Sequence, residues 1–502
     1  MRTRIVLAAL TAAPLAACTV GPNFVRPEPP QGGYAGAALA PTAARTLSSG
    51  ADVADDWYRL FHSAALDQLV RAALAGNPDL EAARHGLAAA QHELTAVAGT
   101  QLPQIDASGQ IGRAHINGSD LYGPVNAISE TGNRWELGPA LAYNLDPFGA
   151  TRRQVESQRA ATALARDQAL NTYVTLVDQT VISAFDYAAT QAQIEVTQAL
   201  ADELKAQYEL TQTLENAGKI TRSDTLQAQT QLENLRATLP GLEQQRETYR
   251  NALAQLTGTS PDQFTMPALS LRDFTLPSQL PLSLPSALVR QRPDILAAEN
   301  SLHEASANIG IAEAARFPSL SLSAQYAQQT TALSDFLTHP GAVWSVGVNA
   351  TAPLFHGGTL AARQHEAEER YAQTLASYRS SVIAAFVEVA NALQALQHDA
   401  AGYSAHSVAL AAARANRDLA LEQYRAGKYT ELQVLTAEQQ YQDAALTEVQ
   451  ADVQRFTDTA ALFRALGGGW WNAPRDPALA AAASPSASPA ATAGTSGESH
   501  HE

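Results

Sequence analysis

The stretch Asn77-Pro78-Asp79-Leu80 returns 215 positions later as Arg292-Pro293-Asp294-Ile295. Further along the chain the offset is 209, and the matched pairs are Trp135/Trp344, Gly138/Gly347, Leu145/Leu354 and Gly149/Gly358. The tripeptide Ala217-Gly218-Lys219 returns at that same offset as Ala426-Gly427-Lys428. A repeat of this length is a duplicated module and not a solenoid unit. The chain is therefore predicted to build the same structure twice, with internal pseudo-twofold symmetry.

The first eighteen residues predict export from the cytoplasm. Arg2 and Arg4 precede a short apolar run that ends at Leu15, which is typical of a secretory signal and too short for a membrane-spanning helix. The run ends in Leu-Ala-Ala-Cys18, which resembles a bacterial lipobox, and Cys18 is the only cysteine of the chain. We therefore predict that Cys18 is the lipid attachment residue. The neighbouring Thr19, rather than an aspartate, indicates onward transport to the outer membrane by analogy with other lipoproteins.

Composition excludes several classes of protein. A single thiol excludes an internal disulfide and a cysteine-clustered metal site. Removing Arg2 and Arg4 with the signal leaves 31 basic against 49 acidic side chains, which argues against nucleic acid as a partner.

The Ala/Gly/Pro-rich stretch from Gly21 to Gly50 is predicted to be a tether. The Ala/Ser/Pro-rich stretch from Asn472 to Glu502 is predicted to be disordered.

Each half contains segments that alternate apolar and polar residues. In the second half, Leu320, Leu322, Ala324 and Tyr326 alternate with serines and Gln325, and the segment from Trp344 to Leu354 follows the same rule. A period of two indicates strands with one apolar and one polar face. Four strands in two hairpins of an exported protein favour an outer-membrane barrel wall over a soluble sandwich. Four strands cannot close a barrel, so other copies of the chain are expected to meet the open edges.

The remaining sequence predicts long helices. No proline or glycine occurs between Ala150 and Ala217, and only Gly402 interrupts the matching stretch from Leu360 to Ala426. Apolar residues advance in steps of four and three, as in Val382, Phe386, Val389, Leu393 and Leu396, or Val449, Val453, Phe456, Ala460 and Phe463. Such steps are typical of coiled-coil seams, and frequent alanines let helices approach on more than one face. A helical tube fits this pattern, although an ordinary coiled coil has the same seams.

A matched turn lies in the middle of each helical pair. Gly218 and Gly427 suit the left-handed conformation that ends a helix, and Thr221 and Thr430 are predicted to cap the returning helix in a capping box. Ordinary capping of the helix ends, without any role in docking or gating, explains these residues as well. Because both turns are predicted to lie far from the strands, we expect them to form the tip of a tube, where a partner docks or a gate closes.

Taken together, these features resemble the TolC-type outer-membrane efflux proteins, in the NodT-like lipoprotein branch that serves resistance–nodulation–division pumps. The residues that carry the resemblance are Cys18 to Phe24, Trp57, Leu60-Phe61, Leu66, Ala73-Leu74, the tetrapeptide at Asn77, Arg292-Pro293-Asp294 and the two turns. They extend over nearly the whole mature chain.

The resemblance implies a mainly α fold with a small transmembrane β part. It implies a homotrimer in which a 12-strand β-barrel, four strands from each chain, continues as a 12-helix periplasmic α-barrel. The implied partners are a periplasmic adaptor protein, an inner-membrane resistance–nodulation–division pump and outer-membrane lipid. The chain itself is then a passive conduit, and the pump supplies the energy.

The resemblance also assigns roles to residues. It implies that the adaptor docks at Gly218, Lys219, Thr221, Gly427, Lys428 and Thr430. Asp224 and Tyr424 match a pair that holds such channels shut, and helix capping and seam packing compete as explanations for them. Relatives place carboxylates in a pore ring where this chain has Gln433 and Thr436, so a strong cation ring is not expected; Glu431 is the residue that would partly replace it.

No sequence motif predicts an enzyme, a cofactor or a metal. A Walker loop, a dinucleotide-binding glycine motif, a His-Glu-x-x-His motif and a nucleophile elbow are all missing from the sequence. Three isolated pairs, His303-Glu304, His365-Glu366 and His398-Asp399, are interpreted as solvated helix faces.

Two alternatives to small-molecule efflux remain at this point: a protein-secretion channel of the same architecture, and a surface coiled-coil adhesin or scaffold lipoprotein. The substrate class, among drugs, metal ions and aromatic acids, is not determined.

The predicted organisation has five parts. Residues 1–17 are the signal peptide and 18–55 the lipidated N-terminus and linker. The first repeat spans 56–270, with a helix, a β-hairpin at 104–146 and a helical hairpin at 150–258. The second repeat spans 271–471, with a helix, a β-hairpin at 318–355 and a helical hairpin at 359–466. Residues 472–502 form the disordered tail.

Overall fold

The computed structural model describes residues 19–30, 32, 46–117, 129–330, 332–336 and 341–472. The predicted signal peptide, Cys18, most of the predicted linker and the tail from residue 473 lie outside the described residues. The fold class predicted from the sequence is confirmed, since the chain is 67% helical with a small strand part. None of the described helices combines the length and the hydrophobicity that a membrane-spanning helix needs.

Nine α-helices and six strands make up the described fold. The helices are α1 (Ala64–Gly76), α2 (Pro78–Gly99), α3 (Ala150–Asn216), α4 (Arg222–Arg236), α5 (Leu239–Leu256), α6 (Pro285–Gln291), α7 (Pro293–Ala314), α8 (Thr359–Arg425) and α9 (Glu431–Ala465). The strands are β1 (Thr46–Ser49), β2 (Gln104–Asn117), β3 (Ser129–Asn144), β4 (Gln279–Leu282), β5 (Ser319–Thr330) and β6 (Ala342–Thr351).

The two long helices follow directly from the sequence. Helices α3 and α8 are both 67 residues long, about 100 Å at 1.5 Å per residue. Helix α3 contains no proline or glycine, and Gly402 does not interrupt α8, since a single glycine weakens a long helix without ending it. The equal lengths agree with the duplication predicted from the repeats.

The returning helices differ between the repeats. Helix α9 is continuous over 35 residues, whereas its counterpart is divided into α4 and α5 at Ala237 and Thr238. Pro240 lies in the first turn of α5, where a missing amide proton costs least. The residue 209 positions after Pro240 is Val449, which continues the helix. One substitution between the copies therefore explains the break.

Contacts between Cα atoms divide the chain into two compact units, each with segments from both predicted repeats. Among the described residues, unit 1 contains those within 19–27, 88–164 and 298–378, and unit 2 contains those within 28–87, 165–297 and 379–472. The repeat boundaries taken from the sequence stay a prediction.

Unit 1 contains the four-stranded antiparallel sheet, in the order β2-β3-β5-β6. Its register places Ile105 opposite Leu141, Leu141 opposite Ala324 and Ala324 opposite Val346, so these residues form one row on the same face. Glu136 lies on the other face, where it accepts a hydrogen bond of 2.9 Å from Gln325 Nε2. The predicted separation of apolar and polar faces is therefore present in the sheet.

The apolar face of this sheet is uncovered in the single chain. Trp344, Val346 and Val348 on β6 are 73%, 66% and 66% exposed, and Ile105 and Ile111 on β2 are about as exposed. Strands β2 and β6 are the edges of the sheet. An exposed apolar face with two open edges is unfavourable in water and fits a barrel wall in a lipid bilayer.

Unit 2 contains the main hydrophobic core. Trp57 stacks on Phe463 with ring centroids 5.0 Å apart, and Phe61 meets Phe185 edge to face at 4.9 Å. The two predicted seams are confirmed, because Val389 and Leu393 of α8 and Ala460 and Phe463 of α9 are all buried. Strand β1, inside the predicted linker, pairs in parallel with β4, and sequence reasoning missed this pairing.

Candidate functional site: two matched turns and a buried polar cluster

The first turn, residues 217–221, ends helix α3 and starts α4. Gly218 has a φ of +70°, and the Lys219 amide donates to the carbonyl of Leu214 at 2.9 Å. This is the left-handed termination for which glycine is best suited. Asp224 then accepts from the Thr221 amide at 2.9 Å and from its hydroxyl at 2.8 Å, which closes the predicted capping box.

The second turn, residues 426–430, repeats this arrangement between α8 and α9. Gly427 has a φ of +71°, and the Lys428 amide donates to the carbonyl of Gln423 at 2.9 Å. The Thr430 amide donates to Gln433 Oε1 at 2.8 Å. The six predicted docking residues, Gly218, Lys219, Thr221, Gly427, Lys428 and Thr430, are all exposed in the single chain.

The two predicted gate residues lie near each other without a hydrogen bond between them. The Asp224 carboxylate is occupied by Thr221 in the capping box. The Tyr424 hydroxyl is buried beside the Glu431 carboxyl, although no hydrogen bond of normal geometry joins the two groups. Burial raises the pKa of Tyr424 well above its usual range, and the Glu431 and Asp224 carboxyls raise it further. Tyr424 therefore stays protonated, and its hydroxyl keeps a proton that it can donate.

A cluster of polar side chains, all buried except that of Glu203, joins helices α3, α8 and α9 in unit 2. We name it the polar cluster, and its members are Glu203, Gln207, Arg417, Glu431 and Glu438. The Arg417 guanidinium, 8% exposed, pairs with Glu203 through Nη1 and with Asp418 through Nη2 at 2.9 Å. Its Cζ lies 4.2 Å from the centroid of the Tyr441 ring, which adds a cation–π contact.

Glu438 is the titratable group of this cluster that burial affects most. Burial raises the pKa of Glu438 to about 7; Arg417 opposes this rise, while Glu203 and Asp418 add to it. One carboxylate oxygen of Glu438 has no hydrogen-bond partner among the described residues. Sequence reasoning missed Arg417 and Glu438, because each lies on a helix whose heptad pattern shows only the apolar seam.

Glu431 does not have the position expected of a residue that replaces a pore ring. Its side chain is 5% exposed, and its Oε1 accepts a hydrogen bond of 2.9 Å from Gln207 Nε2. A carboxylate in a pore ring has to face water or ions. The expectation that Glu431 partly replaces such a ring is therefore wrong in this chain.

A groove runs between α4 and α9 close to the two turns. It encloses about 770 Å³ and is lined by Leu226, Gln231, Leu435, Thr436 and further side chains of these helices. Gln231 Nε2 donates across it to the carbonyl of Leu435 at 3.4 Å. Apolar and amide groups line this groove, a surface suited to packing against another helix. Across the described part of the chain, no three His, Cys, Asp or Glu side chains lie together as metal ligands would.

Known proteins resemble this chain in sequence and in structure. The sequence profile described as "Outer membrane efflux protein" matches residues 69–259 and 284–468, one range in each predicted repeat. The chain belongs to this family. The toluene efflux pump outer membrane protein TtgC of Pseudomonas putida is 28% identical over 92% of this chain and 95% of its own length. The cation efflux system protein CusC of Escherichia coli O6:H1 is 27% identical over 91% of this chain and 96% of its own length.

Solved structures agree with this assignment. The outer-membrane channel OprN superposes with a TM-score of 0.82 at 30% identity, over 90% of this chain and 100% of its own. Membership of the outer membrane efflux protein family, with this fold, makes the chain an outer-membrane channel of an efflux system, with a periplasmic tunnel. The family resemblance inferred from the sequence is confirmed.

Proposed function

We propose that the chain is a passive, homotrimeric conduit without enzymatic activity, which carries small molecules out of the cell. The open edges of β2 and β6 and the exposed apolar face of the sheet support the trimer, because neighbouring copies would pair both edges. Three copies of four strands give twelve, enough to close a barrel. A resistance–nodulation–division pump in the inner membrane would supply the energy.

The two matched turns are the proposed docking site for a periplasmic adaptor protein. Both present a lysine, a capped helix start and an exposed glycine at the end of a helical hairpin. Repetition in both halves gives six similar sites in a trimer, so that a ring of adaptor hairpins finds equivalent contacts. This repetition of an exposed, hydrogen-bonded turn is the observation that carries the proposal.

We assign the substrate only to the class of small molecules. TtgC is named for toluene and CusC for cations, and both relatives match this chain to nearly the same extent. In this chain Gln433 and Thr436 occupy the places of the expected carboxylate ring, and Glu431 is buried. This arrangement favours neutral or organic substrates over a cation-selective pore.

Cys18 is the proposed site of lipid attachment, and Asp224 and Tyr424 are the proposed gate. In this gate, the Tyr424 hydroxyl would turn from the Glu431 carboxyl and donate to a group of the neighbouring helical pair in the closed trimer. Asp224 would cap the start of α4 and present its remaining lone pairs to the same neighbouring helical pair.

The decisive experiment is photo-crosslinking in cells that contain the pump and its adaptor. A photo-reactive residue replaces Lys219 or Lys428, and the matched control is the same residue at Arg290, which is exposed on α6. We expect both turns, but not position 290, to capture a periplasmic adaptor protein, identified by mass spectrometry of the adducts. Capture of neighbouring copies alone would contradict docking at the turns. Adducts with cell-surface components would contradict the conduit.

A further inference from the structure

In the sheet of unit 1, β3 of the first predicted repeat pairs with β5 of the second. We name this boundary between the repeats the in-chain seam. Leu141 lies opposite Ala324 in it. The Leu145 amide extends the pairing beyond β3, since it donates to the carbonyl of Leu320 at 2.9 Å. The in-chain seam therefore shows how one repeat of this chain joins the next.

The in-chain seam continues beyond the sheet, between α3 and α7. Ser157 Oγ donates to Asn308 Oδ1 at 2.9 Å, and His303 Nε2 lies 3.0 Å from Glu156 Oε1. The His303 side chain is therefore part of the in-chain seam, and its interpretation as a solvated helix face is wrong.

The two hairpins of the sheet match residue for residue. Gln104 pairs with Ala142 in the first hairpin, and Ser319 pairs with Thr351 in the second. Ser319 comes 215 positions after Gln104, and Thr351 comes 209 positions after Ala142, so the two offsets of the duplication relate the hairpins without any slip in register. The same offsets therefore transfer the register of the in-chain seam to the two open edges, β6 of one copy and β2 of the next.

We name the boundary between these two edges the copy seam. In the in-chain seam, Ala140 pairs with Gln325. The offsets convert this pair into Asn349 of one copy opposite Gln110 of the next. All neighbouring strands of the sheet are antiparallel, and β6 and β2 would continue this order.

The transferred register keeps the two faces of the sheet apart. Asn349 and Gln110 both lie on the polar face. On the apolar face, Val348 comes opposite Ile111 of the next copy, and these side chains are 66% and 71% exposed in the single chain. A register shifted by one residue would place apolar side chains on the polar face.

Glycines at matched positions support the copy seam. A Cβ on Gly138, in the in-chain seam, would overlap the carbonyl oxygen of Tyr326. Its counterpart Gly347 has no such neighbour in the described chain, where the nearest atom to an added Cβ is 3.8 Å away, on Ser323. In the copy seam Gly347 lies opposite Gly112 of the next copy, and a Cβ on Gly112 meets nothing within 4 Å of the described chain. Glycine in a strand often marks the close approach of another backbone.

Two apolar residues directly after β6 are almost fully uncovered. Leu354 and Phe355 are 95% and 89% exposed in the single chain. Leu354 is the counterpart of Leu145, whose amide donates to Leu320, so the offsets place the Leu354 amide at the Ile105 carbonyl of the next copy. The Ile105 side chain is itself 69% exposed.

An aromatic contact beside the end of the sheet differs between the two seams. In the in-chain seam Phe148 stacks on Phe317, with ring centroids 4.8 Å apart. The matched residues of the copy seam are Gly357 and, in the next copy, Leu102, which is 64% exposed. Phe355, two residues before Gly357, is the exposed ring that replaces Phe148 in this position.

We propose that neighbouring copies of the chain join through the copy seam in the register of the in-chain seam. Leu354 and Phe355 of one copy then cover Leu102 and Ile105 of the next, and these four residues form an apolar clasp at the end of the strands. The proposal rests on the proposed trimer and goes beyond it, because the number of strands alone does not specify which residues meet between copies.

Cysteine pairs at four positions test the register. Asn349→Cys with Gln110→Cys and Thr351→Cys with Ser108→Cys are the pairs in register. Asn349→Cys with Ser108→Cys and Thr351→Cys with Gln110→Cys are the matched controls, because they use the same positions shifted by two residues in either direction. Opposite residues have Cα atoms about 4.5–5.5 Å apart, within reach of a disulfide, whereas residues shifted by two are about 7–8 Å apart.

The variants are oxidised in isolated outer membranes and separated on denaturing, non-reducing gels. Single-cysteine parents account for any crosslink through Cys18, the only native cysteine. We expect the pairs in register to give about fivefold more covalent trimer, or a larger excess, than the shifted pairs. Equal yields from all four pairs, or a higher yield from a shifted pair, would overturn the register.

The mass of the detergent-solubilised wild-type protein separates this inference from the proposed function. A mass of three chains together with crosslinks only from shifted pairs would overturn the copy seam and leave the trimer. A mass of one chain would overturn the trimer and the copy seam with it.

A photo-reactive phenylalanine analogue in place of Phe355 tests the clasp and does not depend on the cysteine variants. The matched control is the same analogue in place of Leu333, an exposed residue beyond the opposite end of β5. We expect position 355, but not position 333, to give adducts of two chains that mass spectrometry maps to residues 102–105. Adducts of position 355 that lie elsewhere, or within one chain only, would overturn the clasp.

Discussion

Arg292 donates through Nη1 to the backbone carbonyl of Ala465, at 3.0 Å, and so fastens the start of α7 to the end of α9. In the first repeat Asn77 Nδ2 donates to the carbonyl of Leu256, also at 3.0 Å, and fastens α2 to the end of α5. Leu256 and Ala465 are 209 positions apart, the offset of the duplication. The repeated tetrapeptide is therefore a latch, made with different side chains, that joins the start of one helix of each repeat (α2 or α7) to the end of the repeat's last helix (α5 or α9).

Replacement of Arg292 by lysine is expected to destabilise the protein by about 1–3 kcal/mol. Arg292 is buried and also holds Asp294 at 2.7 Å and Glu388 at 2.8 Å, and an ammonium cannot serve these partners together. Thermal or urea unfolding of the detergent-solubilised protein, followed by circular dichroism, measures the loss. Arg290→Lys is the control, because Arg290 is exposed and its change should stay within about 0.5 kcal/mol. Equal effects of the two variants would contradict the latch.

Two glycine substitutions should have opposite effects. Gly427→Ala places a side chain at a φ of +71°, which should cost about 1 kcal/mol. Gly402→Ala lies inside α8 where an added Cβ meets nothing within 4 Å, and it should stabilise the helix by about 0.5–1 kcal/mol. The same unfolding assay compares them. A gain of stability from Gly427→Ala would show that this turn does not need the left-handed conformation.

Glu438 should make the protein less stable as the pH rises. Its pKa is raised to about 7 in the folded state, from 4.5 in the absence of burial. Between these values the folded chain holds a proton that the unfolded chain has released, so stability is full below about pH 4.5 and declines up to about pH 7. Glu438→Gln should flatten this part of the profile and stabilise the protein at pH 8.

The control for Glu438→Gln is Glu233→Gln, an exposed residue of α4. Arg417 keeps Glu203 and Asp418 as partners in the Glu438 variant, so no buried charge is left without a counter-ion. Unfolding midpoints measured from pH 4 to pH 8 decide the question. A profile that Glu438→Gln leaves unchanged would contradict the assignment of this titration to Glu438.

The gate proposal predicts a leak without a loss of stability. Tyr424→Phe removes a buried hydroxyl that makes no hydrogen bond of normal geometry within the described chain, so the unfolding free energy should change by less than about 1 kcal/mol. If the hydroxyl closes the trimer, cells with Tyr424→Phe should become more sensitive to a large hydrophilic antibiotic. Asp224→Asn is the companion variant, because an amide oxygen still accepts from Thr221 while the charge is removed. Wild-type sensitivity in both variants would exclude them as the gate.

One face of β6 should not tolerate charge. Val346 is 66% exposed in the single chain and is proposed to face lipid, where arginine costs about 2–4 kcal/mol at the bilayer midplane. Val346→Arg should therefore reduce the amount of assembled trimer in the outer membrane, as measured on isolated membranes. The control is Ser345→Arg, whose side chain lies on the polar face next to Gln325. Equal loss in both variants would contradict the assignment of the two faces.

Local patterns predicted most of the elements. The lack of proline and glycine predicted α3 to within about two residues, and the alternation around Trp344 predicted the two faces of β6. The threonines at 221 and 430 predicted both helix starts, because a capping box is closed within four residues. These features depend only on neighbours in the chain.

The sites formed by distant residues were not predictable in this way. Arg153 binds carbonyls 132 and 133 positions earlier in the chain, and Arg417 binds Glu203, 214 positions earlier. Periodicity carries no information on such partners, since every exposed polar residue of a helix fits the same pattern. The stretch after Cys18 was predicted to be a tether because its composition is that of a linker, whereas the contacts of Arg153 hold its start in place.

The amino-acid sequence by itself determined the duplication, the lengths of the helices, the two faces of the strands and the family to which the chain belongs. These follow from spacing along the chain, where backbone geometry converts a repeat of residues into a repeat of structure. Only the tertiary structure decided that Glu431 is buried, that the Tyr424 hydroxyl lies beside it, and that Arg153 binds the backbone of Val20. Burial and hydrogen bonding between distant segments depend on which surfaces meet, and spacing along the chain does not specify this.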